Sequence, residues 1–300
     1  MRMRFLMWAL VAAAVSGAGV VAWLALRPAP PRPPASVRVA AVQFHSVLGD
    51  ADRNREGLAG WVREAAARGA KIVVLPEAAV SGYADLDRDV FWSSEAAPGP
   101  GFLPAASVAE TIDGASVRFF SGLARDRAIY LTVPFVEQAD GKFYNSVALL
   151  GPDGSVRIHY RKQHLWTVAD PSWVTPGDRG TPVIDTEYGR IGVMVCFDVN
   201  YLLPEFREKS ADIVLHCVAW YGPWFDIPFN RRVREAGVWL VLANWTFPGE
   251  KAWRGAGGSR IINRDGDVVA RIGQDYGDGI VLADLPLASR AAARPGGTAR

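Results

Sequence analysis

The run Ile191-Gly192-Val193-Met194-Val195 contains no polar position. A strand with one face in water alternates apolar and polar residues. A short run with neither face polar fits a sheet covered on both sides. The run therefore points to an α/β architecture with helices over its sheets. It ends at Cys196, which is followed by Phe197, Asp198 and, further on, Pro204-Glu205. The polar, helix-compatible stretch from Tyr201 to Lys209 predicts a helix. Cys196 is thus expected on the sharp turn between strand and helix, a position that presents a nucleophile and aims backbone N–H groups at it. A lone cysteine is more often a small core hydrophobe, so this reading needs support from elsewhere in the chain.

The rest of the chain repeats the same alternation. Strands are predicted over Val37–Phe44 and Lys71–Leu75, with a helix over Asp50–Arg68 that Gly69 is placed to end. Residues Ala84–Ala109 are rich in proline, glycine and aromatics without period, and read as a long surface loop or lid. A helix over Ser116–Ala128 precedes strands Ile129–Glu137 and Lys142–Leu150, joined by a turn at Asp140-Gly141. Strand Val156–Arg161 delivers Lys162. Strands Val183–Thr186 and Arg190–Val195 flank a turn at Tyr188-Gly189. Beyond the cysteine come strand Asp212–Ala219, helix Phe229–Gly237 and strand Val238–Asn244. A hairpin around Asp265-Gly266 joins Ser259–Asn263 to Val268–Ile272, and the last strand is Gly279–Leu285. Two strand–helix–strand series interleaved with hairpins imply a mixed sheet system with helices on its outer faces.

Composition narrows the function classes. Net charge is +2, from 33 basic and 31 acidic residues. With no basic patch or known motif, nucleic acid is not an expected partner. The two cysteines, Cys196 and Cys217, form no C-x-x-C, and the four histidines show no metal spacing, so a zinc site is not expected. A Cys196–Cys217 disulfide is conceivable but nothing in the sequence indicates it.

The N-terminus carries a separate signal. Residues 1–4 hold Arg2 and Arg4, and Phe5 to Leu26 is an uncharged apolar run of 22 residues. At about 1.5 Å per residue such a helix spans a hydrocarbon core of roughly 30 Å. A cleaved signal peptide normally has an apolar region of only about 7–15 residues. The expectation is an uncleaved signal anchor over 5–26, a lipid bilayer as partner, and the bulk of the chain outside the cytoplasm. Residues 27–36 follow as a proline-rich spacer, whose fixed φ angles favour an extended chain. The folded domain is expected over 37–285 and a disordered Ala/Arg/Gly-rich tail over 286–300.

Three predicted strand ends carry reactive groups: Glu77 after Val73-Val74-Leu75-Pro76, Lys162 after His159-Tyr160-Arg161, and Cys196. Sites in α/β sheets gather beyond the carboxyl ends of strands. Free cysteine, with a pKa near ~8.5, is mostly thiol at neutral pH and needs a base. A desolvated carboxylate can take its proton and later hand it to a leaving amine. A lysine cation can stabilise the oxyanion of a tetrahedral intermediate, with the Phe197 N–H at the turn as a second donor. Singly, Glu77 could cap a helix and Lys162 could face water in its basic tract.

Together, Leu75-Pro76-Glu77, Tyr160-Arg161-Lys162-Gln163-His164-Leu165 and Gly192-Val193-Met194-Val195-Cys196-Phe197-Asp198 resemble, in order and content, the three signatures of the nitrilase superfamily of carbon–nitrogen hydrolases. Ala41-Val42-Gln43, Tyr144-Asn145-Ser146, Pro204-Glu205 and Ala243-Asn244 also match. The resemblance implies a four-layer αββα sandwich and a Glu–Lys–Cys triad working through a thioester or thioimidate, without metal or organic cofactor. Carried over, Glu77 is the general base, Lys162 the oxyanion stabiliser and Cys196 the nucleophile. Many members use a second acid beyond the lysine, for which Asp170 is the nearest candidate. Self-association through the helix after the cysteine implies a homodimer. Cys-Phe-Asp is similar to the vanin and biotinidase branch, whose members hydrolyse secondary amides outside the cytoplasm.

The resulting expectation is a membrane-anchored hydrolase of a small-molecule, non-peptide linear amide. Trp220, Tyr221 and Trp224, just beyond the strand after the nucleophile, are candidates for a substrate wall. The alternatives are an N-acyltransferase or nitrile hydrolase with the same triad, a thiol hydrolase with His164 as base, and a membrane-tethered binding module without activity.

Overall fold

The computed structural model describes residues 34–85, 88–220, 226–247, 257–272 and 276–287, the side chains of 226–228 excepted. The expected span over 5–26, the linker as far as residue 33, and residues 288–300 lie outside the described residues, as do Tyr221 and Trp224. Among the described residues no helix is long and apolar enough to cross a membrane.

The strands are β1 (Ser36–Gln43), β2 (Ile72–Val74), β3 (Phe91–Ser93), β4 (Phe102–Pro104), β5 (Tyr130–Ala139), β6 (Lys142–Leu150) and β7 (Val156–Arg161) in the first half of the chain. The second half adds β8 (Val183–Thr186), β9 (Gly189–Val195), β10 (Ile213–Val218), β11 (Trp239–Asn244), β12 (Arg260–Ile262), β13 (Val268–Arg271) and β14 (Gly279–Pro286). The α-helices are α1 (Ala51–Ala67), α2 (Ala115–Arg127), α3 (Leu203–Glu208) and α4 (Asp226–Ala236). One six-stranded sheet has the order β14-β1-β2-β5-β6-β7, the other β13-β12-β11-β10-β9-β8, and β3 and β4 form a small ribbon. In each large sheet the central strands, β1-β2-β5 and β9-β10-β11, are parallel, and antiparallel strands flank them.

Strand periodicity sorts the side chains into layers. On the first sheet Val39, Ala41, Ile72, Val74 and Tyr130 share a buried cluster with Ile191, Val193, Ile213 and Leu215 of the second, so the two sheets face one another. The alternate residues Ala40, Val42, Val73 and Leu131 pack on Leu58 and Val62 of α1 and Phe120 and Ala124 of α2. Phe206 of α3 and Phe229 and Val233 of α4 are buried against the second sheet. Gly192 makes that packing possible, because a Cβ there would run into the Phe206 ring. The mixed α/β fold expected from the sequence is therefore present.

Most element boundaries agree with the sequence pattern because their signals are local. Asp50 caps α1 by accepting from the Arg53 N–H at 3.1 Å, and Gly69 follows it at φ +88°. Asp140 and Gly141 both take positive φ at the β5–β6 turn.

Two expectations are corrected. Residues Ala84–Ala109 are not a free lid. Trp92 on β3 is fully buried, donates from Nε1 to the Gly82 carbonyl at 2.9 Å, and packs with Leu48, Ala105, Val136, Phe143 and Trp173. The aromatics that disguise any period in this stretch are the anchors that fix it. The helix expected over Tyr201–Lys209 is shorter: a 3-10 turn spans Cys196–Asn200 and α3 begins only at Leu203, with Pro204 in its first turn. Cys196 and Cys217 are both free thiols.

Candidate active site

Strand β9 delivers Cys196 with a backbone φ of +45°, a left-handed conformation that L-residues without special side chains avoid. Such strain persists only where the surroundings impose it. Asp198, fully buried, does part of this. It accepts from the Tyr160 hydroxyl at 2.6 Å, the His164 N–H at 2.8 Å, the His164 Nδ1–H at 3.1 Å and the Val195 N–H at 3.2 Å. The turn is thereby tied to β7 and to its own strand.

Three other strand ends converge on this turn. Glu77 lies beyond β2 and accepts at Oε1 from Lys162 Nζ and from Asn145 Nδ2, each at 2.8 Å. Its Oε2 accepts from the Ala219 N–H beyond β10 at 2.9 Å. The Cys196 thiol is buried beside the same carboxyl, and the Glu77 charge acts on it. Lys162, following β7, has its ammonium 2.7 Å from Asp170 Oδ2 as well. Asp170 is held in turn by the Tyr83 hydroxyl at 2.9 Å and the Trp166 N–H at 2.7 Å. Lys162 and Asp170 are fully buried, and Glu77 and Cys196 are 2% and 6% exposed. The structure thus brings together Glu77, Lys162, Asp170 and Cys196.

The charges explain the protonation states. One ammonium faces two carboxylates, leaving a surplus negative charge in a desolvated site. Burial, supported by the Asp170 charge, raises the Glu77 carboxyl above its ordinary value against the pull of Lys162. Burial and the neighbouring Glu77 push the Cys196 thiol well up, so its resting form is the neutral thiol. Burial acts to lower Lys162, but the Glu77 and Asp170 charges outweigh it and raise the ammonium well above the usual lysine range. The arrangement is a protonated thiol next to a carboxyl group primed to take a proton, beside a permanent cation.

Around these groups lies an apolar wall. Tyr83, Ala169, Ala219, Trp245 and Phe247 form one buried cluster, with the Trp245 ring edge-on to Tyr83 at 5.7 Å and to Phe247 at 4.8 Å. Trp220 packs elsewhere, against the His216 and Phe229 rings at 5.3 Å each. His164 turns toward Asp198 and stacks on Tyr201 at 4.2 Å, while the carboxyl group acting most strongly on the thiol is that of Glu77. Among the described residues no cluster of His, Cys, Asp or Glu is suited to hold a metal ion.

Sequence reasoning did not assign roles to Asn145, Tyr83 or Asp198. A signal existed for two of them. Asn145 is a polar residue inside a buried strand, and Asp198 follows a strand end within the Cys-Phe-Asp motif. Nothing in the sequence marks Tyr83, which belongs to the segment after β2.

Comparison with known proteins identifies the family and the fold. The carbon-nitrogen hydrolase family matches residues 38–295. Omega-amidase NIT2 of Homo sapiens is 30% identical over 270 residues, covering 84% of this chain and 89% of the relative. A nitrilase of Pyrococcus abyssi is 30% identical over 213 residues, covering 69% and 74%. Among solved structures, an amidase from Nesterenkonia sp. superposes with a TM-score of 0.70 at 23% identity, covering 84% of this chain and 92% of that one. A variant of that amidase carries the acetamide moiety of fluoroacetamide on its active site cysteine, with a TM-score of 0.70, 23% identity and coverage of 89% and 97%. The chain belongs to the carbon-nitrogen hydrolase family of the nitrilase superfamily and is a hydrolase acting on carbon–nitrogen bonds other than peptide bonds.

Proposed function

We propose that this protein hydrolyses a linear amide through a thioester on Cys196, with Glu77 as general base and acid and Lys162 as oxyanion stabiliser. The observation that carries the reading is the buried carboxyl of Glu77, bonded to the Lys162 ammonium at 2.8 Å and set beside the buried Cys196 thiol, on which its charge acts. Glu77 takes the thiol proton as sulfur attacks the amide carbon, and the carbonyl π electrons move to oxygen. The oxyanion is held by Lys162 Nζ and the Phe197 N–H. Collapse breaks the C–N bond, and the leaving amine takes the proton from Glu77. Water then attacks the thioester with Glu77 again accepting a proton, and the thiol is restored when the acid departs. Asp170 acts as the second acid by holding Lys162 in place.

The aromatic wall of Tyr83, Trp245 and Phe247 favours a compact, largely apolar acyl group. The omega-amidase and amidase relatives favour an amide over a nitrile, although one relative is named a nitrilase. The test is a panel of short linear amides, including butyramide, with ammonia release as the readout and mass spectrometry to find the acyl group on Cys196. Cys196→Ala is expected to abolish turnover with an unchanged fold. Retained turnover in that variant overturns the triad.

The same reading includes anchoring by residues 5–26, with the hydrolase outside the cytoplasm, supported by the uncharged 22-residue run. Alkaline carbonate should leave the full chain in the membrane fraction and release a chain starting at Val37. Protease added to intact cells or spheroplasts should reach the domain. Dimerisation through α3 is supported by a groove lined by Leu203, Pro204, Arg207, Glu208, Arg232 and Glu235. Both signs of charge around one groove suit a self-complementary two-fold contact. A monomeric mass in detergent-free light scattering of the domain would exclude it.

A further inference from the structure

Strand β10 carries one polar residue in an apolar run, His216 between Leu215 and Cys217. The side chain is fully buried, stacked with Phe229 at 5.9 Å and edge-on to Trp220 at 5.3 Å. Its Nε2 lies 3.0 Å from the Cys196 carbonyl oxygen. A carbonyl only accepts, so Nε2 carries the hydrogen and donates. Nδ1 is then bare, and it is buried with no hydrogen-bond partner among the described residues. Burial pulls the imidazole down to about 3, so the ring is neutral at working pH. It is neither a base for the thiol nor an ion-pair partner. What it touches is the backbone of the nucleophile.

We propose that His216 is a positioning residue that sets the direction of the Phe197 N–H by holding the Cys196 carbonyl oxygen. The peptide joining Cys196 to Phe197 is trans and planar, so its C=O and N–H point in opposite directions. Fixing the oxygen fixes the hydrogen. Rotation of this plane would change ψ of Cys196 and φ of Phe197, and the hydrogen bond from His216 opposes it. Asp198 holds the peptide joining Met194 to Val195 through the Val195 N–H, and His216 holds the peptide after the cysteine. The inference rests on the reading that Cys196 is the nucleophile and the Phe197 N–H an oxyanion donor.

Two reactions of Cys196 separate the N–H from the thiol, and neither needs the natural substrate. Acylation by p-nitrophenyl acetate passes through a tetrahedral oxyanion, whereas alkylation by iodoacetamide is a direct displacement that forms none. The full-length chain is compared with His216→Leu and His216→Gln, following p-nitrophenolate release and the mass of the Cys196 peptide. Loss of an oxyanion donor typically costs about 10²–10³ in rate; His216→Leu, which misaims the donor without deleting it, is expected to acylate about tenfold more slowly or worse. Its iodoacetamide labelling should stay within about twofold of wild type, because no oxyanion is involved. His216→Gln, which offers an N–H at a similar reach, should recover most of the acylation rate. Equal acylation in His216→Leu, or acylation and alkylation falling by the same factor, overturns the proposal. Should the leucine variant not fold, His216→Phe, which also lacks the donor, is read in its place: slow acylation with normal alkylation supports the hold, and wild-type rates for both reactions overturn it. If wild-type Cys196 takes neither reagent, the nucleophile reading falls and the proposal falls with it.

Discussion

Replacing Lys162 by methionine tests the charge arrangement at its centre. The ammonium is fully buried and lies 2.8 Å from Glu77 Oε1 and 2.7 Å from Asp170 Oδ2. Methionine keeps much of the apolar stem but leaves two buried carboxylates facing each other. Breaking a buried ion pair by removing one partner costs about 3–5 kcal/mol. For a domain of this size each kcal/mol lowers the midpoint by about 2–4 °C, so the thermal midpoint should fall by roughly 6–20 °C. The loss should also depend on pH. Burial raises Glu77 above its ordinary value of 4.5, so the folded chain holds that proton more tightly than the unfolded chain. Stability from such a group falls as pH rises from the unfolded value through the folded one. Lys162 opposes this rise, so its removal carries the folded value higher and widens the window of loss. The deficit of Lys162→Met relative to wild type should therefore be larger at about pH 8 than at about pH 5.5. Adding Asp170→Asn removes one of the two stranded charges and should recover part of the midpoint. Calorimetry of the wild type, both single variants and the double variant at both pH values supplies the numbers. A Lys162→Met midpoint within about 2 °C of wild type, or a deficit equal at both pH values, would refute the charge count.

Two further outcomes follow from the same geometry. Glu77 must be ionised to act as base, so kcat/KM should fall with decreasing pH through a value above the ordinary carboxylate range. Asp170→Asn should move that acid limb to lower pH, since the Asp170 charge helps hold Glu77 up; a pH–rate profile whose limb stays in place or moves upward counts against it. Gly192→Ala places a methyl group against the Phe206 ring and should cost about 1–3 kcal/mol by urea unfolding, with Phe206→Leu in the same chain restoring part of the loss. An unchanged urea midpoint would show that α3 shifts freely over the sheet.

Much of the fold is legible in the chain because its signals act over short range. Buried strands read as unbroken apolar runs, and Asp140-Gly141, Asp265-Gly266 and Gly69 mark turns by their backbone preferences. The segment from Ala84 to Ala109 fails that test. Its order comes from Trp92 inserting under Gly82, a contact with no periodic trace. The helix after Cys196 is shortened for a related reason: the left-handed cysteine opens a 3-10 turn before α-helical geometry can begin. The substrate wall is also a tertiary matter. Trp220 looks equivalent to Trp245 in sequence, yet one packs on His216 and the other on Tyr83. Tyr221 and Trp224 lie outside the described residues.

The amino-acid sequence on its own determined which chemical groups this protein can bring to bear, a thiol, carboxyls and an ammonium at strand ends, because strand termination is a local property. Only the tertiary structure decided who holds whom. Glu77 meets Lys162 across 85 positions and the Ala219 N–H across 142. The energy of those meetings depends on burial and on separations of a few ångströms, quantities that exist only once both sheets have closed on one another.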